Sequence, residues 1–271
     1  MTPTVDTFPL GGPIELVMRL GHGTITVTAK DDLTDATVRL QSRGSSGDLL
    51  DRFTVEMDGT TLRVAGPRQG GLADVIGGWR RDRWSVDVDV EVPTGTPVTI
   101  ASASQQIGLE GRFGDTDVAT GAARVDVDTV MGDLRLRCAR AETRVANVTG
   151  SVQLRAGAGT AHLVEVGGGL ECGFGTGELV VDVVRGPVRS RAGSGSARVG
   201  EVHGDVDLAF GSGPITVGLP AGVSAHVDVV SGSGEVQSDL PIESGPASTG
   251  RSITVRARTG SGEVRLLRSA V

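Results

Sequence analysis

From residue 96 to residue 221, apolar and polar positions alternate inside a phrase that returns every 18 residues. Its third position reads Val98, Thr116, Leu134, Val152, Leu170, Val188 and Val206, and its fifth reads Ile100, Val118, Leu136, Leu154, Cys172, Ser190 and Leu208. The residue between them is Thr99, Asp117, Arg135, Gln153, Glu171, Arg189 or Asp207 and is never apolar. Alternation of this kind buries one face of a strand and leaves the other wet. The pattern recurs in the second half of the phrase, where Leu109, Val127, Val145, Leu163, Val181, Val199 and Val217 form a wholly apolar column. Two short strands per unit are predicted, separated by glycine corners such as Gly-Ser-Gly at 193–195 and 211–213. At a rise of about 3.3 Å per residue, such strands close one coil per unit, and successive coils stack about 4.7–4.9 Å apart. The predicted fold class is all-β, a single-chain β-solenoid with 18-residue coils.

Ahead of the repeats, alternating β-branched runs predict strands at 14–20, 24–29, 36–41, 52–57 and 61–64, an N-terminal β-meander with a turn at Asp58, Gly59 and Thr60. Residues 85–93 alternate valine with aspartate or glutamate and lead into the coils. The expected organisation is a meander over 1–77, packing on or capping the solenoid, and a solenoid over 78–271. Its regular coils span 96–221 and its irregular final coils 222–271. In that final stretch Gly-Ser-Gly returns at 232–234 and 260–262, and the longer interval contains a Pro/Ser/Gly-rich loop at 240–252.

Composition narrows the function. The 42 glycines recur at fixed phase, as periodic turns do, so the chain is expected to be ordered. A net charge of −7, no tyrosine, five phenylalanines and two tryptophans argue against nucleic acid as a partner. No apolar run approaches the roughly 18 residues of a membrane span. The first 20 residues lack a basic region followed by an apolar one, so the expected location is the cytoplasm, with surface association left open. Two cysteines do not make a disulfide framework. Cys172 falls in an inward column and Cys138 two coils away, roughly 9 Å, beyond disulfide reach.

The meander, the strand ending Val-Pro-Thr-Gly at 92–95, and the phrases Ser-Gly-Ser-Gly-Glu-Val at 231–236 and Thr-Gly-Ser-Gly-Glu-Val at 259–264 resemble the bacterial putative-adhesin family. Its members are β-strand-repeat proteins of unknown function, also described as a toastrack fold. The resemblance spans roughly residues 9–268 and implies a solenoid without a catalytic signature.

Candidate chemistry is sparse. There is no phosphate-binding glycine loop, since each Gly-Ser-Gly leads into a strand. The calcium β-roll ligands are missing, and no serine carries glycine at both −2 and +2. His22, His162, His203 and His226 are isolated from metal-ligand partners in sequence. No cofactor and no metal are expected. Parallel β-helix enzymes that act on carbohydrates cluster carboxylates on one outer sheet, whereas here the outward column alternates in sign. The expected function is a non-enzymatic structural or interaction module. Its expected partner is an unidentified protein, or a second copy joined through the solenoid ends; the alternative is a carbohydrate-active β-helix enzyme. The one irregular local feature, Trp79, Arg80, Arg81, Arg83 and Trp84, is a candidate partner contact or a cap over the first coil.

Overall fold

The computed structural model describes residues 3–42, 47–67, 85–103, 106–240 and 252–269. The chain divides into two compact units, Met1–Met131 and Gly132–Val271. Apart from one short 3-10 turn at Gly47–Arg52, the regular structure among the described residues is β-strand, and the chain is an all-β solenoid.

In the second unit, β11 (Leu134–Val148), β12 (Val152–Val166), β13 (Leu170–Val184) and β14 (Val188–Val202) stack in parallel. Their register is the sequence period: Leu134 pairs with Val152, Val152 with Leu170, and Leu170 with Val188. The inward columns form the core, with Leu154, Leu163, Val181 and Val199 fully buried. Each such side chain contributes roughly 1.5–3 kcal/mol.

One expectation is corrected in detail. Each of β11, β12, β13 and β14 is one continuous 15-residue strand rather than two short ones, because a middle corner such as Gly-Ala-Gly at 157–159 or Gly-Ser-Gly at 193–195 bends the strand without ending its ladder. Pairing skips a single position there, from Cys138 with Ala156 to Arg140 with Ala158, and then resumes. The bend places Gly195 at a φ of +138°, and a Cβ at that position would run into the carbonyl of Gly177 in the coil below. Only glycine allows corners to approach so closely. The strands end at the opposite corner, where the Gly168 amide donates to the Gly150 carbonyl at 2.8 Å and the Gly186 amide to that of Gly168 at 3.1 Å.

Beyond β14 the stacking order departs from the sequence order. The next coil is β15 (Val206–Ser212) with β16 (Ile215–Leu219), followed in sequence by β17 (Ser224–Ser233) with β18 (Val236–Ser238), and then β19 (Ser252–Ser261) with β20 (Val264–Arg268). Val206 pairs with Val255 and Ile215 with Val264, so β19–β20 lies directly on β15–β16. Val227 pairs with the other side of Val255, and Val236 with the other side of Val264. The coil that comes later in sequence is therefore the inner one.

The first unit contains the same device. Its strands are β1 (Thr4–Pro9), β2 (Glu15–Leu20), β3 (Thr24–Lys30), β4 (Asp35–Ser42), β5 (Thr54–Asp58), β6 (Thr61–Ala65), β7 (Val86–Pro93), β8 (Val98–Ser102), β9 (Gln106–Phe113) and β10 (Thr116–Val130). The strands expected between 14 and 64 are present, but β2 and β3 form a coil of the stack. Leu16 pairs in parallel with both Leu62 and Val98, and Ile25 with both Val88 and Ile107. The β2–β3 coil thus lies between β6–β7 and β8–β9. Among the described residues, antiparallel pairing in this unit is confined to β1 with β4, β4 with β7, and β5 with β6. From β8 and β9 onward the 18-residue register takes over, Val98 pairing with Thr116 and Ile107 with Val125.

Candidate functional site

The contact expected from sequence, Trp79, Arg80, Arg81, Arg83 and Trp84, lies outside the described residues, as does most of the 240–252 loop. Within the second unit, the register instead brings together charged side chains far apart in sequence. On the wet face of the first strand halves, one column reads Arg137, Arg155, Gly173, Arg191, Ala209, Arg258 and Val230. It holds four arginines and no acid on a chain of net charge −7. The neighbouring column reads Arg135, Gln153, Glu171, Arg189, Asp207, Arg256 and Asp228. The sign alternation of Glu171, Arg189 and Asp207 expected from sequence is present in this column.

Ion pairs link the two columns at regular intervals. Arg155 lies 4.0 Å from Glu171, Arg191 3.4 Å from Asp207, and Arg258 3.0 Å from Asp228. The Gln153 amide donates to Glu171 at 3.4 Å and accepts from Arg135 at 3.2 Å. Between Arg155 and Arg191, Gly173 leaves a shallow hollow of about 480 Å³ whose lining includes Glu171, Cys172 and Phe174. A Cβ built on Gly173 meets nothing within 4 Å. The sequence period locates Arg155 and Arg191 in one column, but nothing in it adds Arg258, because β19 enters the stack out of order.

The groups that could carry enzymatic chemistry are arranged otherwise. Ser269 and His203 both bond to Glu201, the serine hydroxyl donating to Oε2 at 2.9 Å and the imidazole Nε2 lying 2.7 Å from Oε1. The carboxylate stands in the middle, so the imidazole has no path to the serine proton that a nucleophilic triad requires. The hydrogen bond from Ser269, helped by His203 and Arg185, holds the Glu201 carboxyl below its ordinary range against partial desolvation. Hydrogen bonds from Thr94 and Arg112, with the charge of Arg112, do the same for Asp31. Both shifts run opposite to the raised pKa of a general acid. Burial pushes the Cys138 thiol up to about 11 and the Cys172 thiol higher still; both cysteines are free. Such thiols remain protonated at neutral pH and are poor nucleophiles. Among the described residues, no group of three His, Cys, Asp or Glu side chains could hold a metal ion, and no helix is long and apolar enough to cross a membrane.

A second surface lies at the outermost coil. In β17–β18 the inward column is uncovered, with Val227 at 41% and Val236 at 47% exposure, whereas their partners Val255 and Val264 are fully buried. Among the described residues, β17 pairs with β19 alone.

These features define a β-solenoid repeat protein whose distinctive groups lie on an outer face and at an open coil. No family model matches the sequence, and no curated protein matches it. Among solved structures, the chain is similar to a putative adhesin from Parabacteroides distasonis ATCC 8503, at 11% identity and a TM-score of 0.45, covering 98% of this chain and 97% of that one. It is also similar to a putative lipid binding protein from the same strain, at 9% identity and a TM-score of 0.36, covering 97% and 96%. A putative adhesin from Bacteroides fragilis NCTC 9343 matches at 14% identity and a TM-score of 0.30, covering 98% and 97%. Two of these three are described as putative adhesins, the description carried by the family that the sequence resembles.

Proposed function

We propose that this protein is a non-enzymatic, adhesin-like binding module that pairs with a second copy of the chain through its outermost coil, β17–β18. The observation that supports this reading is the uncovered inward column. Val227 and Val236 continue a row that is buried in the preceding coil, yet they face solvent. Beside that row runs a strand edge, and an edge with unpaired amides and carbonyls is a template for another strand. Two copies meeting edge to edge would extend both ladders and cover both valine rows.

Light scattering coupled to size-exclusion chromatography tests the reading. The wild type is expected to dimerise as concentration rises, and Val236→Asp to stay monomeric with an unchanged melting temperature. A wild type that remains monomeric at high concentration would sink the proposal. Trp79 and Trp84 are the second expected contact. If their double alanine variant lost association while Val236→Asp kept it, the interface would move from the coil to that loop.

A further inference from the structure

Beyond Arg137, which lies one coil from Arg155, the arginines of the column recur at every second coil. Arg155 and Arg191 are separated by Gly173, and Arg191 and Arg258 by Ala209. Each gap is two strand spacings, about 9.4–9.8 Å. Each of these three arginines has one acidic partner in the neighbouring column, Glu171, Asp207 or Asp228. The arrangement is a threefold repeat of an arginine–carboxylate pair, with a small residue in each interval.

That spacing constrains the partner. A polyproline II strand has three residues per turn and rises about 3.1 Å per residue, so every third side chain returns to one face after about 9.3 Å. Duplex DNA carries a charge every 3.4 Å or so along each strand, far denser than this column, and the adjacent carboxylates would repel so dense a polyanion. The same carboxylates suit an extended peptide, whose amides have no internal acceptor in this conformation. An arginine fork has five donors, so a guanidinium engaged by its neighbouring acid keeps donors for a second carboxylate. All three arginine side chains are more than 60% exposed.

We propose that Arg155, Arg191 and Arg258 bind an acidic peptide in the polyproline II conformation, with a carboxylate at every third residue and its backbone crossing over Gly173 between them. The hollow of about 480 Å³ at Gly173 has room for that backbone to approach the strand. The site is separate from the valine row of β17–β18.

Gly173 supplies a clean test, because a side chain there projects into open space and fills the hollow without disturbing the coil. Fluorescence anisotropy on the full chain would compare a labelled peptide of Glu-Pro-Pro repeats with one of equal composition whose glutamates are contiguous. The repeat peptide is expected to bind at least about tenfold more tightly, and added salt to weaken it. Gly173→Leu and Arg191→Ala should each weaken it by about tenfold with unchanged melting temperatures, while Val236→Asp binds it like wild type. Equal binding of the two peptides, no binding of either, wild-type affinity in Gly173→Leu, or lost affinity in Val236→Asp would overturn the proposal. So would binding of polygalacturonate without binding of the peptide, which would make the column a site for acidic polysaccharide.

Discussion

The coils β17–β18 and β19–β20 carry nearly the same phrase, Ser-Gly-Ser-Gly-Glu-Val in one and Thr-Gly-Ser-Gly-Glu-Val in the other. Their energetic roles are opposite. Ile253, Val255, Ala257, Val264 and Leu266 are buried between two neighbouring coils, whereas Val227 and Val236 touch one coil and face solvent on the other side. The inner coil is also tied at the end of its last strand. Arg268 donates to the carbonyls of Pro220 and Val223 at 2.9 and 3.0 Å, and the Ser269 hydroxyl donates to Glu201. A repeat phrase therefore specifies a coil, and the place of that coil in the stack sets what the phrase contributes.

The sharpest way to break this comparison is to place a charge in each coil at paired positions. Val255→Asp buries an unpaired carboxylate and should cost on the order of 3–5 kcal/mol, or prevent folding, while Val227→Asp should stay within about 0.5 kcal/mol of wild type. Denaturant titration of both variants checks this, and equal losses would show that the two coils are equivalent.

A smaller, pH-dependent effect is expected at the tie. Glu201 is held below its ordinary pKa chiefly by Ser269, so its contribution is fully present above the unfolded carboxylate pKa and disappears as pH falls through the lowered folded value. Ser269→Ala should therefore be less stable than wild type at neutral pH, with the gap closing in acid. A gap of constant size across the carboxylate range would assign the loss to something other than Glu201.

The smallest effects belong to the outer face. Arg258→Ala and Arg189→Ala each remove an exposed ion-pair partner, of Asp228 and Asp207 respectively, and should each change stability by less than about 1 kcal/mol. A larger loss in Arg258→Ala alone would mean that the outer face helps to hold the inner coil.

Much of the fold was legible because its signals are local. The inward columns through Leu154, Val181 and Val199 follow from alternation, and the 18-residue register follows from their recurrence. The continuity of β11, β12, β13 and β14 through their middle corners was not legible. A glycine triplet reads the same whether the chain stops its ladder or bends it, and the difference lies in backbone contacts such as that of Gly195 with Gly177. The candidate site was half visible. Arg155 and Arg191 share a phase, but Arg258 joins them only through the pairing of Ala209 with it.

The repeating unit, a coil with a wet face, an apolar face and glycine corners, is written in local alternation within about 18 residues. The order in which coils stack within each unit emerges from long-range pairing, which sets β19–β20 inside β17–β18 and β2–β3 between β6–β7 and β8–β9. Valine and leucine columns are nearly interchangeable as neighbours. Alternation can say that a face must be covered, but which coil covers it is settled by the burial and loop closure of the whole chain.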